Sequence, residues 1–201
     1  MKRIVALLIM AVLLLGAVSA EGQVGVTVMP DWFFITSANG TSIEGSMGET
    51  RMYVGIDGSN FFGENGGWGI EYGFAALFPC NMWANDTTIS TQYFNAGAAF
   101  NIGAGYRYEF NDLVGIVAGL GLRFNIDSTM SAMSEGGMGP VFLMFDMYGR
   151  VAADFTLFNH LRFNAGFLLG GPLFSVTLGQ DYNISYSGIF LSPYVGISYA
   201  Y

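Results

Sequence analysis

Between Phe94 and Phe110 the chain sorts its residues by parity. The even positions Phe94, Ala96, Ala98, Phe100, Ile102, Ala104, Tyr106, Tyr108 and Phe110 are apolar or aromatic. The odd positions Asn95, Gly97, Ala99, Asn101, Gly103, Gly105, Arg107 and Glu109 are small, polar or charged. Successive side chains of a strand point to opposite faces, so a period of two separates these sets and a helical period would mix them. The stretch reads as one long strand with a greasy face and a polar face.

The same pattern recurs along the chain. It predicts strands near 68–78, 114–126, 141–155 and 161–169, with weaker runs near 23–35, 51–62 and 188–201. That makes eight strands. Their connections alternate in length: short at 63–67, 111–112 and 158–160, long at 36–50, 79–92, 128–139 and 171–187. Short periplasmic turns and long outer loops are the habit of outer-membrane barrels, and an even strand number returns both chain ends to the periplasmic side.

Composition points the same way. Residues 1–20 have a basic start (Lys2, Arg3), an apolar run and a small-residue end (Val18-Ser19-Ala20), the layout of a secretory signal peptide. The mature chain is expected to start at Glu21 and to form a single domain, 21–201. Losing Lys2 and Arg3 takes the formal charge from -8 to -10 and leaves five arginines and no lysine. Such acidity opposes nucleic-acid binding. The one cysteine, Cys80, excludes an internal disulfide. The chain is 52% hydrophobic and 11% charged, with a mean hydropathy of +0.45. After residue 20, however, it lacks the ~18-residue apolar run that a spanning helix needs. The remaining way to cross a bilayer is a closed β-barrel.

The charges decide which face is inside. Arg51, Arg107, Arg123, Arg150 and Arg162 all fall on polar faces, as do Asp57, Glu71, Glu109, Asp146 and Asp154. An arginine facing lipid at mid-membrane costs about 2–4 kcal/mol, so these side chains are expected to point into the lumen. Asp31 and Asp127 are expected to join them. Eight strands enclose a space that side chains just fill, so the charges there must be paired. Aromatics at the strand ends are expected to form two interfacial girdles: Phe61, Phe62, Trp68, Tyr108, Phe110, Phe155 and Phe158 on the periplasmic side, and Trp32, Phe78, Trp83 and Phe142 on the outer side. Glu44, Glu49, Asp86, Glu135 and Asp181 are assigned to outer loops, and Met130, Met133 and Met138 to the third of them.

On these features the chain resembles the small eight-stranded outer-membrane β-barrels, of the OmpX, OmpA-domain and opacity-protein type or of the OmpW type. The resemblance covers about 21–201. It rests on the signal peptide, the alternation, the loop lengths and the tail "LSPYVGISYAY", which turns Leu191, Pro193, Val195, Ile197, Tyr199 and Tyr201 outward. It implies an all-β, antiparallel up-and-down transmembrane barrel in the outer membrane. It implies lipid as surroundings, and an assembly machinery that reads the aromatic C-terminus at Tyr199 and Tyr201. The OmpX and opacity group implies a structural or surface-contact role through four outer loops, with an extracellular ligand or host surface as partner. The OmpW group implies the alternative, a narrow porin-like channel or a transporter of small hydrophobic solutes.

Two features bear on that choice. Counted from the chain ends, Pro30 and Pro193 are expected at about the same height on the seam where the first strand meets the last. The readings there are a lateral opening or a pair of bulges, which commonly house such residues. His160, the only histidine, is expected as a solvated turn residue. Without a buried histidine the chain lacks the usual means of nucleophilic or metal chemistry. No catalytic residue, metal or cofactor is therefore expected, and the chain reads as a non-enzyme.

Overall fold

A computed structural model describes residues 21–63, 66–85, 87–90, 95–129, 141–158, 160–178 and 183–201. The expected signal peptide lies outside the described residues, as do Phe94, Asp86, Glu135, Asp181 and the methionines of the third loop. The strands are β1 (Glu21–Ala38), β2 (Thr41–Phe62), β3 (Gly66–Ala84), β4 (Thr87–Ser90), β5 (Asn95–Asn111), β6 (Val114–Thr129), β7 (Val141–Phe158), β8 (Leu161–Leu178), β9 (Asn183–Ile184) and β10 (Tyr186–Ala200). Each long strand pairs antiparallel with its sequence neighbour, and β10 pairs with both β8 and β1. Eight long strands therefore close into an up-and-down ring. The short β4 pairs only with β3, and β9 only with β8.

Burial runs opposite to that of a soluble protein. On the outer face Leu120 is 70% exposed, and Ile56 and Phe74 are 61% exposed, while on the inner face Arg51 is 0% and Arg123 is 1% exposed. A continuous apolar exterior is far beyond the apolar patches that soluble monomers show. It matches the lipid-facing band of a membrane barrel. At the periplasmic rim Trp68 meets Tyr106 edge-on at 5.4 Å, and Tyr108 meets Phe110 at 5.1 Å. At the outer rim Phe34 meets Trp83 at 5.7 Å. Two of the aromatics assigned to the girdles belong elsewhere. Phe61 is 1% exposed and lies inside the barrel beneath the Arg107 guanidinium. Phe142 packs inward against Tyr186. Each has the parity of the polar face of its strand, and that parity outranks nearness to the strand end.

The outer connections are shorter than the sequence reading placed them. β1 and β2 continue through most of 36–50 and turn at Asn39-Gly40, where φ is 49° and 75°. Positive φ at both central residues marks the tight hairpin turn that the Asn-Gly pair favours. β3 runs to Ala84, β8 to Leu178, and β10 starts at Tyr186. β2 has 22 residues and β3 has 19, whereas a tilted strand crosses a bilayer in about 9–11. The surplus rises beyond the membrane as paired sheet. Glu49, assigned to a loop, lies in β2 opposite the buried Phe33 and so shares the inward face.

Candidate functional site in the barrel interior

The lumen is filled by charged groups at successive heights. In the outer half, Asp31 of β1 is gripped by two arginines. Arg51 of β2, its direct cross-strand neighbour, donates from Nε at 2.9 Å and approaches with Nη2 at 2.7 Å. Arg123 of β6 reaches across the lumen to Asp31 with Nη2 at 3.3 Å and donates from Nε to Asp146 at 3.0 Å. Asn125 donates to the same Asp146 oxygen at 2.7 Å and accepts from the Tyr53 hydroxyl at 3.2 Å. The cations also lie over rings. Arg51 sits 5.0 Å from the Phe33 centroid, and Arg123 sits 4.8 Å from Tyr53 and 4.1 Å from Phe190. Outward of this level the lumen is largely apolar: Phe33, Ile35, Met144 and Phe190 pack together with Ile43, Met47, Phe142 and Tyr186, beside the inward-facing carboxylates Glu49 and Asp127. These residues shield the ion pairs from the outer solvent.

Farther down, Arg150 of β7 donates from Nε to the Tyr194 hydroxyl at 2.6 Å and from Nη1 to Glu71 of β3. Thr27 donates to Asp57 on the neighbouring strand. Near the periplasmic end Arg107 pairs with Glu109 at 3.0 Å and with Asp154 at 3.5 Å, and Arg162 reaches Glu109 at 3.7 Å. Between the outer and middle levels lies a cavity of about 70 Å³, lined by Thr27, Met29, Tyr53, Tyr148, Leu168 and Tyr194 among others. That holds about two waters. A drug-sized ligand takes about 300–1,000 Å³.

Glycine makes this filling fit. A Cβ at Gly121 would overlap the Tyr148 phenol that leans over it from β7. The small residues of β5 and β6 are thus the floor on which longer side chains of nearby strands lie, Tyr148 of β7 over Gly121 and Glu71 of β3 beside Gly105.

All five arginines and the acids Asp57, Glu71, Glu109, Asp146 and Asp154 are placed facing the interior. Tyr53, Asn125, Ser192 and Tyr194 complete the network. Their signal was present, since each has the parity of a polar face: Ser192, Tyr194, Gly196 and Ser198 alternate with the outward residues of the tail. His160 is more than a solvated turn residue. Its ring stacks on Tyr199 at 5.4 Å, and its Nδ1 lies 3.1 Å from the Ala200 carbonyl oxygen. It ties the β7–β8 turn to the C-terminal strand that also bears Tyr201. Among the described residues no three His, Cys, Asp or Glu side chains are grouped to hold a metal.

No family model and no curated protein matches the chain. Solved structures do. Neisserial surface protein A aligns with 89% of this chain and 96% of its own, at 9% identity and a TM-score of 0.54. Ail, the attachment invasion locus protein of Yersinia pestis, solved with the heparin analogue sucrose octasulfate, covers 90% of this chain and 99% of its own, at 12% identity and a TM-score of 0.46. The outer membrane protease OmpT of Escherichia coli covers 93% of this chain and 100% of its own, at 6% identity and a TM-score of 0.41. At such identities the likeness to the neisserial protein is one of fold. With its apolar exterior and charge-filled interior, the chain is an integral outer-membrane β-barrel.

Proposed function

We propose that this barrel is a non-enzymatic, axially closed protein that works at the cell surface through the strand ends and loops standing above the bilayer. The carrying observation is the filled lumen. A largely apolar stopper and three levels of paired charge lie between the outer mouth and the periplasm, and the cavity between the outer and middle levels is about 70 Å³. A solute moving along the axis would have to break ion pairs that water does not reach.

The outer β1–β2 hairpin is the exposed working part best defined. It presents Thr41, Ser42, Glu44 and Ser46 to solvent, and its tip is pinned to the β9–β10 link: Ser185 N donates to Asn39 Oδ1 at 2.9 Å, and Asn39 N to Ser185 O at 2.8 Å. A rigid polar sheet suits contact with an extracellular ligand or host surface. The non-enzymatic reading is supported by Asp31, Glu71, Glu109, Asp146 and Asp154, which pair with arginines, and by His160, which is occupied with the C-terminal strand. Residues 1–20 would direct export, and Tyr199 and Tyr201 would be read by the assembly machinery. Planar-bilayer recording on the purified, refolded protein tests the closed lumen. A silent barrel is expected; stepwise conductance in the native protein would overturn the reading.

A further inference from the structure

The ring closes where β1 meets β10. This ladder keeps one register from Gln23↔Ala200 to Ile35↔Gly188, yet its pairs stop at Val28↔Val195 and resume at Trp32↔Leu191. Pro30 and Pro193 face each other in the middle of that break. The unchanged register excludes a bulge there, which would add a residue to one strand. At the base of the seam Tyr201 N donates to Gly22 O at 2.9 Å. In an antiparallel pair, facing residues alternate between sites that exchange both backbone bonds and sites that exchange neither. Counting by twos from Gly22/Tyr201 makes 30/193 a site of exchange. Both its residues are proline, and neither has an N–H. Both bonds are absent, and the flanking pairs 29/194 and 31/192 drop out with them. The prolines do not disturb their other neighbours: Pro30↔Met52 and Pro193↔Phe167 sit in unbroken ladders. The weakness is confined to the seam.

Inside the barrel a side-chain bond spans the break. Ser192 of β10 donates from Oγ to Asp31 Oδ1 of β1, and Asp31 is anchored by Arg51 and Arg123. One step toward the periplasm, Met29 and Tyr194 flank the prolines and line the interior cavity. We propose that this seam is a lateral portal between the cavity and the hydrocarbon of the membrane, with the Asp31–Ser192 hydrogen bond as its latch. It parts between Val28/Val195 and Trp32/Leu191 while the axis stays closed. Its guests are uncharged, membrane-soluble molecules of only a few heavy atoms, as a cavity of about 70 Å³ requires. The lining offers Met29 and Leu168 as apolar wall with Thr27 and Asn101 as hydrogen-bonding groups, and the arginines nearby are already paired with acids.

The test places a thiol behind the seam. The Met29→Cys variant, in a Cys80→Ser background and in lipid nanodiscs, is treated with a maleimide dissolved in the bilayer or with a bulky water-soluble one. The native seam is expected to label from the lipid. Pro30→Val with Pro193→Val restores two backbone hydrogen bonds and is expected to slow labelling about thirtyfold; Ser192→Ala is expected to speed it. Equal rates in the native and double-valine seams, or faster labelling by the water-soluble reagent, would overturn the proposal. Heat-modifiable gel mobility checks that each variant is folded. Hydrogen exchange on the unsubstituted protein is the second measurement. The amides of Val28, Trp32, Leu191 and Val195 are expected to exchange faster than β5–β6 amides at the same height, and equal protection would also overturn it.

Discussion

Arg150 and Glu71 meet across the lumen from β7 and β3, 13% and 4% exposed. Removing one partner of such a pair strands a charge where water cannot reach it. Arg150→Met is expected to destabilise the folded barrel by about 3–5 kcal/mol in urea titrations in lipid vesicles. Arg150→Met combined with Glu71→Gln should recover most of that loss, because the two sites share one interaction. Gly121 makes a different demand, for volume. Gly121→Val pushes a branched side chain into the Tyr148 phenol and is expected to cost about 1–3 kcal/mol in the same titration. Parity alone placed the arginines and their acids, because a buried guanidinium facing lipid would be intolerable. The same rule, applied strictly, would have put Phe61 and Phe142 inside. What the sequence did not show is which acid each arginine takes, since those partners come from strands far apart in the chain, as with Arg123 and Asp31.

At the scale of the element, the strands were legible where lipid lies on one side and packed side chains on the other. Their outer ends were not. Above the bilayer the outward face of a strand meets water instead of lipid, so residues 36–50 lose the alternation and read as a loop. The signal that remained was Asn39-Gly40, the strongest short hairpin pair. Asn39 holds φ of 49° and accepts the Ser185 amide hydrogen at 2.9 Å. Asn39→Ala loses both the residue suited to that backbone and the bond, worth about 1–2 kcal/mol together. The expected outcome is faster hydrogen exchange at the β1–β2 tip and at residues 183–187, with the membrane-spanning parts unchanged. The prolines of the seam were legible as to height, because counting inward from two chain ends fixes height in a closed ring. The absence of a bulge was not, since only the register shows it.

For the whole molecule, residues 21–201 carry fifteen acids, five arginines and no lysine, and all five arginines lie inside the cylinder. Such a barrel is expected to migrate differently on a detergent gel before and after boiling, with circular dichroism showing strand and little helix in the unboiled sample. Loss of the shift would mean that the ring does not close. The most direct measurement concerns the sorting of the two faces. Nitroxides are placed at Leu120, 70% exposed on the outer face, and at Ala99, 3% exposed inside. In bilayers the label at Leu120 is expected to collide freely with oxygen and be shielded from a water-soluble paramagnetic reagent, with the label at Ala99 screened from both. A Leu120 label open to the aqueous reagent would contradict the membrane barrel itself.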